Sequence, residues 1–148
     1  MSAQTNLPRQ VQDVMTHEVV TLTPPQPFTE ALALLARHRF RHLIVTENDA
    51  RLAGVISDRD MLRFMSSGAD LKSATVADVM WHEVVTIRPE TLLSEAAGQM
   101  LSRRINCLPV IDENGRLCGI LTSSDLLQVF QRMQEGVEQE SSPPSAKE

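Results

Sequence analysis

Apolar and polar residues alternate with two different periods along the chain, which predicts short strands mixed with helices. Residues 19–22 and 84–87 are apolar and β-branched, as is typical of short strands. Proline follows each segment, and apolar residues then recur at helical spacing. This spacing predicts two helices, one containing Ala31, Leu32, Leu34 and Leu35 and the other containing Ala96, Ala97, Met100 and Leu101.

The pattern next predicts two β-hairpins, each followed by a second helix. The hairpin strands flank polar turns and comprise residues 43–45 and 52–56 in the first half, and residues 108–111 and 117–121 in the second. Asn114-Gly115 is typical of a tight turn because both residue types tolerate positive φ. The following helices are predicted at residues 58–65 and 123–133. Each half of the chain therefore has the order strand, helix, strand, strand, helix.

The two halves also repeat each other in sequence. Asp13-Val14-Met15-Thr16-His17-Glu18-Val19-Val20-Thr21 returns sixty-five residues later as Asp78-Val79-Met80-Trp81-His82-Glu83-Val84-Val85-Thr86. Residues 11–65 align with residues 76–130 without a gap, and 20 of the 55 pairs are identical. We expect two copies of one unit to pack about a pseudo-two-fold axis, with a cleft between them that matching groups from both copies line.

Length and composition are those of one globular module. The chain has 148 residues, of which 42% are hydrophobic, and a chain of this size buries enough surface to fold without disulfides or metals. We predict a flexible arm at residues 1–10, repeat one at 11–66, a linker at 67–75, repeat two at 76–133 and a disordered tail at 134–148. The end of the tail is rich in Ser and Pro and has little to bury.

Charge and cysteine content argue against several classes of protein. The net charge is −5 and no Lys/Arg-rich face suited to a duplex is evident, so we expect no nucleic-acid partner. Cys107 and Cys118 lack metal-ligand spacing, and His17 and His82 each stand without a neighbouring ligand, so no metal site is expected. No leader sequence and no apolar run of about 18 residues is evident. These features predict a cytoplasmic protein with reduced thiols and no membrane partner.

The motif Gly-x-x-[Ser/Thr]-x-x-Asp occurs where each hairpin leads into its second helix. It runs from Gly54 to Asp60 in repeat one and from Gly119 to Asp125 in repeat two. One interpretation is structural, because Ser/Thr followed three residues later by an acidic residue forms a helix capping box. The other is functional, because free amides and a hydroxyl at a helix N-terminus can hold phosphate, and a nearby carboxylate can accept hydrogen bonds from ribose hydroxyls. The two interpretations do not exclude each other.

This layout resembles a tandem pair of CBS domains, regulatory modules named after cystathionine β-synthase. The resemblance covers residues 11–130. It rests on the repeated Asp-Val-Met start, on both Gly-x-x-[Ser/Thr]-x-x-Asp motifs and on the stretch Leu108-Pro109-Val110-Ile111-Asp112-Glu113-Asn114-Gly115-Arg116-Leu117. It implies an α+β fold of two β-α-β-β-α repeats related by a pseudo-two-fold axis, with small mixed sheets and helices on one face. It also implies a homodimer, either parallel or antiparallel.

The resemblance further implies two adenine-nucleotide sites, each formed by the hydroxyl–Asp motif of one repeat and by the first strand and hairpin entry of the other. The first site would contain Val55, Ser57, Arg59, Asp60, Arg88, Leu93, Ile105, Asn106 and Cys107. The second would contain Ile120, Thr122, Ser124, Asp125, Thr23, Phe28, Phe40, Arg41 and His42. The Asp residues would hold ribose, the hydroxyls would hold ribose or phosphate, and the apolar residues would flank adenine.

The two implied sites differ at the hairpin entry. Phe40-Arg41-His42 in repeat one replaces Ile105-Asn106-Cys107, and Ile44 stands where repeat two has Pro109, the residue usual in the family. The basic cluster at 37–42 suits either a solvated helix C-terminus, where cations meet the helix dipole, or a phosphate-binding edge. On the second interpretation, we expect the Asp125 site to bind phosphorylated ligands more tightly when His42 is protonated.

These features leave three classes of function. The favoured one is a regulatory or signal-transduction module that binds AMP, ADP or ATP, or a relative such as NAD or S-adenosylmethionine, and acts on an effector protein that the sequence does not identify. The second is a ligand-free dimerisation and interaction scaffold, over which the intact Asp60 and Asp125 favour a sensor. The third is an enzyme, for which the sequence offers no nucleophile–base pair, metal set or phosphate loop. We therefore expect no enzymatic activity and no catalytic cofactor.

Overall fold

The structure is a computed structural model that describes residues 7–38 and 41–141. Its strands are β1 (Thr21–Leu22), β2 (His42–Glu47), β3 (Arg51–Ser57), β4 (Cys107–Ile111) and β5 (Leu117–Thr122). Its α-helices are α1 (Phe28–His38), α2 (Asp58–Met65), α3 (Leu93–Arg103) and α4 (Ser123–Ser141). Short 3-10 helices at Val11–Asp13 and Val76–Asp78 contain the Asp of each repeated Asp-Val-Met start. The α+β fold class that the sequence predicts is confirmed.

The five strands form two small sheets. In the first, β1 pairs with β2 in parallel and β2 pairs with β3 antiparallel. In the second, β4 pairs antiparallel with β5. The register places His42 opposite Ser57 and Cys107 opposite Thr122, so the hairpin entry of each repeat lies beside the hydroxyl of that repeat's own motif.

Residues 84–87 do not form the predicted strand; only Ile87 makes a parallel bridge, to Val110. The amide of Ile87 donates to the carbonyl of Pro109 at 3.1 Å, and the amide of Ile111 donates to the carbonyl of Ile87 at 3.0 Å. Extending this ladder by one residue would need an N–H at position 109, which proline lacks. Repeat one has Ile44 at that position, and there the parallel pairing of Thr21 with Ile44 does form.

The start segments of the two repeats are exchanged between the two hydrophobic cores. Ala74 and Val76 are buried in the first core together with Leu22, Phe28, Ala31, Leu43, Val45, Ile56 and Met61. Val11 and Met15 are buried in the second core together with Ile87, Ala96, Met100, Leu108, Val110 and Leu121. The backbone follows the same exchange, because Phe28 donates its amide to the carbonyl of Ala74 at 2.9 Å and Leu93 donates to the carbonyl of Arg9 at 2.8 Å. Each half of the molecule therefore completes its core with residues from the other repeat.

Each crossing segment runs so close to the opposite hairpin that only glycine fits there. Trp81 and Val55 exchange backbone hydrogen bonds of 2.9 and 3.1 Å, and a Cβ on Gly54 would lie 2.5 Å from the carbonyl oxygen of Trp81. Thr16 and Ile120 pair in the same way, and a Cβ on Gly119 would lie 2.7 Å from the carbonyl oxygen of Thr16. The motif glycines thus allow this close approach of two backbones.

Helix α4 ends at Ser141 rather than at residue 133, where the sequence pattern placed its end. Residues 134–141 contain no proline and several Gln and Glu residues, which are good helix formers, and one glycine costs a helix only about 1 kcal/mol. The rest of the predicted tail and most of the predicted arm, residues 142–148 and 1–6, lie outside the described residues.

Candidate functional site

Two cavities of similar size lie between the repeats. Cavity one has a volume of about 620 Å³ and is lined by Arg41, His42, Val55, Ser57, Asp58, Arg59, Asp60, Trp81, Glu83, Val84, Val85, Arg104, Ile105, Asn106 and Cys107. Cavity two has a volume of about 610 Å³ and is lined by Thr16, Glu18, Val19, Val20, Arg41, His42, Ile44, Asn106, Ile120, Thr122, Ser123, Ser124 and Leu127. Both volumes are in the range of small-molecule sites in proteins.

The two cavities are built alike. Each contains the strand-to-helix junction of one repeat and the segment after the Asp-Val-Met start of the other. Arg41, His42 and Asn106 line both cavities, since the two hairpin entries meet between them. Arg41 and His42 are therefore not confined to the Asp125 side, where the resemblance had placed them.

Each motif carboxylate divides its two oxygens between two tasks. Asp60 accepts the amide of Ser57 on Oδ2 at 2.9 Å, while the Ser57 hydroxyl oxygen accepts the amide of Asp60 at 3.0 Å. Asp125 and Thr122 form the same capping box, with distances of 2.9 and 3.2 Å. The structural interpretation of the motif is therefore correct. Capping occupies only Oδ2, so Oδ1 of each carboxylate remains available for another donor.

In both halves Oδ1 meets the residue that follows the Asp-Val-Met start of the other repeat. The indole nitrogen of Trp81 donates to Oδ1 of Asp60 at 2.8 Å. The hydroxyl of Thr16 donates to Oδ1 of Asp125 at 3.3 Å. Arg63 lies 3.9 Å from the same oxygen of Asp60. These cross-repeat contacts tie each helix N-terminus to the crossing segment.

Charge is distributed unevenly between the cavities. The cations of cavity one are Arg41, Arg59 and Arg104, which face the acidic residues Asp58, Asp60 and Glu83. Among the fixed charges of cavity two are Arg41 and Glu18. Arg104 reaches its place from a left-handed backbone conformation, φ 56°, at the C-terminus of α3, a conformation that non-glycine residues adopt rarely. Cavity one therefore holds more charged groups of both signs, and in each cavity the arginines and the carboxylates are equal in number.

Most residues that the resemblance implied do line a cavity. Val55, Ser57, Arg59, Asp60, Ile105, Asn106 and Cys107 lie in the wall of cavity one. Ile120, Thr122, Ser124, Arg41 and His42 lie in the wall of cavity two. Asp125 is not among the residues that line cavity two, but its Oδ1 accepts the hydroxyl of Thr16, which is. Phe40 lies outside the described residues.

Four implied residues lie away from both cavities. Phe28 is only 1% exposed and its ring centroid is 5.2 Å from that of Phe64, so it belongs to the first core. Leu93 packs against the second core. The amide of Thr23 donates to Gln26 Oε1 at 2.7 Å in the turn before α1. The amide of Arg88 donates to Thr91 Oγ1, and the Arg88 charge helps to lower the pKa of Asp112.

Sequence reasoning missed the residues that each crossing segment contributes. Trp81, Val84 and Val85 line cavity one, and Thr16, Val19 and Val20 line cavity two. The signal was present, because the four valines belong to the longest identical run of the repeat, residues 17–21 and 82–86, and Thr16 and Trp81 stand at the one position that differs beside it. That near-identity does not by itself reveal that each segment crosses to the other half.

Burial shifts two titratable groups in the walls. Burial lowers the pKa of His42 below its ordinary value; Asp58 and Asp60 oppose this shift and Arg41 reinforces it. Burial raises the pKa of the Cys107 thiol to about 12, and the negative charge of Asp125 adds to the shift. At neutral pH the Cys107 side chain is therefore a protonated apolar group and not a nucleophile.

Two other kinds of feature are absent from the described part of the chain. Within residues 7–38 and 41–141, no cluster of three or more His, Cys, Asp or Glu side chains could hold a metal ion. In the same residues, no helix is both long and apolar enough to cross a membrane. Both cysteines are free thiols.

Comparison with known proteins identifies the family. The CBS domain model matches residues 11–67 and again residues 76–132. The chain belongs to the CBS domain family. The CBS domain-containing protein YhcV of Bacillus subtilis is 36% identical over 117 residues, a match that covers 78% of this chain and 81% of that protein.

Other relatives carry the CBS pair within a longer protein. The homoserine O-acetyltransferase of Methanohalobium evestigatum is 31% identical over 121 residues, which is 82% of this chain but 24% of that protein. This chain thus spans about a quarter of the length of that relative.

Solved CBS structures have the same fold and hold adenosyl compounds. CBSX2 in complex with AMP superposes with a TM-score of 0.76 at 28% identity, covering 86% of this chain and 99% of that one. The CBS pair of protein MJ0100 with 5′-methylthioadenosine and S-adenosyl-L-methionine gives 0.74 at 26% identity, covering 82% and 98%. The cytosolic domain of the Mg²⁺ channel MgtE with ATP gives 0.70 at 33% identity, covering 82% and 48%.

Proposed function

We propose that the protein is a regulatory module that senses an adenosyl ligand in its inter-repeat cavities, with AMP, ADP or ATP as the preferred ligand and S-adenosylmethionine or NAD as alternatives. One observation carries the proposal. Each cavity combines a motif hydroxyl and a helix N-terminus with an apolar edge from the other repeat, and in cavity one a carboxylate oxygen outside the cap lies in the same wall. Solved relatives that hold AMP, ATP and S-adenosylmethionine support the same ligand class.

Cavity one offers a phosphorylated ligand three guanidinium groups, where cavity two offers one, although three carboxylates share the wall of cavity one. Asp60 Oδ1 would accept hydrogen bonds from ribose hydroxyls, and the Ser57 hydroxyl, whose oxygen already accepts an amide, has its hydrogen available to donate. Val84, Val85 and Ile105 would flank adenine. Arg41, Arg59 and Arg104 would face the phosphates, since guanidinium groups bind phosphate through paired hydrogen bonds. Arg41 and His42 also line cavity two, so the expectation of a phosphate edge at the Asp125 site remains a prediction.

The regulatory mechanism that we propose is a population shift. A ligand that contacts the motif of one repeat and the crossing segment of the other holds the two repeats at one relative angle. It changes the balance between two arrangements only by its difference in affinity for them. An effector protein would respond to that balance.

Thermal unfolding with added nucleotide tests the proposal. At about 100 times the dissociation constant, a ligand that binds only the folded state stabilises it by about 2.7 kcal/mol. This gain corresponds to a rise in the unfolding midpoint of about 5–10 °C for a chain of this size. No shift with millimolar AMP, ADP, ATP, NAD or S-adenosylmethionine would favour the scaffold alternative.

Two matched variants separate binding from capping. Asp60→Ala and Asp13→Ala each remove a carboxylate that caps a helix; Asp13 accepts the amide of Gln10 at 2.9 Å and lies outside both cavities. Both should lower stability, because each loses the carboxylate that accepts the N-cap amide of its capping box. Only Asp60→Ala should also weaken AMP binding, by about 10-fold or more, because a charge-assisted hydrogen bond is lost. Equal affinities for the two variants would leave the motif with its structural role alone.

We also propose that the module is a homodimer that resides in the cytoplasm. Leu127, Phe130 and Val137 of α4 are 67%, 59% and 56% exposed at spacings of three and seven residues, which places them on one side of the helix. Such an apolar stripe is typical of an interaction surface. Sedimentation velocity of the native chain and of Phe130→Lys should show a dimer and a monomer, respectively; two monomers would refute the dimer.

A further inference from the structure

We propose that Trp81 is a latch on cavity one: its indole occupies Asp60 Oδ1 in the ligand-free protein and must turn away before a ligand can use that oxygen. The proposal rests on the proposed function, since the competing donor is a ribose hydroxyl. It makes the two cavities unequal in affinity and gives the occupancy of cavity one an optical signal, because Trp81 is the sole tryptophan of the chain.

The indole of Trp81 contacts the carboxylate oxygen of Asp60 that does not take part in the helix cap. Asp60 Oδ2 is engaged by the Ser57 amide at 2.9 Å, and Oδ1 accepts the Trp81 indole N–H at 2.8 Å. The Asp60 side chain is 12% exposed, so a ligand can reach this carboxylate from few directions. Oδ1 has a second lone pair, but with the side chain this buried and the indole on the first, a ribose hydroxyl has little room to reach it, so the two donors compete.

The backbone of Trp81 is fixed while its side chain has room to move. Two hydrogen bonds to Val55 and the close approach to Gly54 hold the backbone in place. The residue is nevertheless 57% exposed, so little packing holds the indole besides its contact with Asp60. A smaller cavity of about 350 Å³ shares Asp60 and Trp81 with cavity one and is otherwise lined by Arg63, Phe64, Ser67, Asp78, Val79 and Met80. The indole thus has a neighbouring space into which it can rotate.

The second half of the molecule has no equivalent latch. Residues 13–21 and 78–86 are identical except at one position, where Thr16 stands in one repeat and Trp81 in the other. Thr16 contacts Asp125 Oδ1 at the longer distance of 3.3 Å and has no ring that could cover a cavity. The difference between the two repeats therefore falls on the residue that contacts the motif carboxylate.

The size of the effect follows from the strength of one hydrogen bond. One hydrogen bond of ordinary strength keeps the indole on Asp60 most of the time. The apparent affinity of cavity one for its ligand is then reduced to the fraction of molecules in which the indole has turned away. We therefore expect removal of the indole donor to tighten binding in cavity one by about 2- to 10-fold.

Ligand-free fluorescence of the full chain tests the contact itself. In Asp60→Asn, the amide oxygen can keep the cap by accepting the Ser57 amide, and the NH₂ group then faces the indole N–H, donor against donor. This variant should lower the fluorescence anisotropy of Trp81 and increase its quenching by acrylamide. Asp125→Asn, which changes the other motif, should leave both quantities at their native values. Unchanged Trp81 signals in Asp60→Asn would overturn the latch.

Calorimetric titration with adenosine tests its role in binding, using the native chain, Trp81→Phe and Trp81→Thr. The latch predicts 2- to 10-fold tighter binding for both variants, and a change in Trp81 emission when the native chain binds. If Trp81 instead stacks on the base, Trp81→Thr should bind more weakly and Trp81→Phe about as well as the native chain, and the latch is wrong. Equal affinities also overturn it. No binding by any of the three would refute the proposed function, and with it the competition, while the fluorescence result would still decide whether the contact exists.

Discussion

Two carboxylates, those of Asp60 and Asp125, each connect a helix N-terminus with the crossing segment of the other repeat. Asp60 and Asp125 each satisfy a cap with one oxygen and present the other to the crossing segment. A motif with both a structural and a binding interpretation can therefore serve both, because the two uses need different atoms. The sequence could predict the pairing of hydroxyl and carboxylate, but it could not predict which oxygen is left over.

The pH dependence of ligand binding is a prediction at this scale. Burial lowers the pKa of His42, so the neutral imidazole is favoured in the folded, free protein. The folded state is therefore destabilised as the pH falls from the His pKa of the unfolded chain, near 6.5, through the lower pKa of the folded protein. A bound phosphate stabilises the protonated ring, so binding takes up a proton. Affinity for AMP should rise as pH falls, by at most about 10-fold per pH unit, in a window that extends below 6.5.

Calorimetry at pH 7.5, 6.5 and 5.5 measures this dependence. Adenosine serves as the control because it has no phosphate, and His42→Asn removes the titrating ring while the second ionisation of AMP itself remains. The histidine has no such role if the AMP affinity of His42→Asn changes with pH as much as that of the native chain.

The two thiols should differ in reactivity. With a pKa of about 12, only about one Cys107 side chain in ten thousand is a thiolate at pH 8. Burial also raises the pKa of Cys118, but this residue is more exposed than Cys107. Iodoacetamide at pH 8 should therefore alkylate Cys118 well before Cys107, as followed by peptide mass spectrometry. Alkylation of both at the same rate would contradict the burial of Cys107.

At the scale of secondary structure, the sequence predicts the order of the strands and helices better than it predicts their lengths. Hydrophobic periodicity and the repeat were sufficient for the sequence of strands and helices in each half. They predicted a strand at 84–87 that is reduced to one bridge, because Pro109 has no N–H where Ile44 has one. The family resemblance placed Phe28 and Leu93 at the ligand, although an apolar residue at the start of a helix faces the core equally well.

Three glycines allow a matched test of the crossing segments. Gly54→Ala places a Cβ 2.5 Å from the Trp81 carbonyl oxygen, and Gly119→Ala places one 2.7 Å from that of Thr16. Each should lower the free energy of unfolding by about 1–3 kcal/mol, as overpacking does. Gly98→Ala lies in α3 with nothing within 4 Å of the new Cβ, and it should raise that free energy by about 0.5–1 kcal/mol. Urea unfolding of the three variants measures this; a stabilising Gly54→Ala would refute the close approach.

At the scale of the whole molecule, the residues of one sequence repeat are not the residues that form one hydrophobic core. Cutting the chain at the repeat boundaries would leave the first half without Ala74 and Val76 and the second without Val11 and Met15. This exchange could not be predicted from the sequence, because the segments that cross have the same residues in both copies at eight of nine positions. It places the motif of one repeat beside the start of the other, so both cavities exist only in the assembled pair.

The exchange predicts that a mutation loosens the opposite half of the chain. Val11 and Val76 are both fully buried, and replacing either with Ala should cost about 2 kcal/mol from two lost methyl groups and the cavity left behind. Hydrogen exchange should show the larger loss of amide protection in β4 and β5 for Val11→Ala, and in β2 and β3 for Val76→Ala, because those strands form the core that each valine enters. Loss concentrated in the mutated residue's own repeat would contradict the exchange. A fragment comparison gives a second readout: residues 17–81 retain the complete first core and should keep more strand and helix signal in circular dichroism than residues 1–66, which lack Ala74 and Val76.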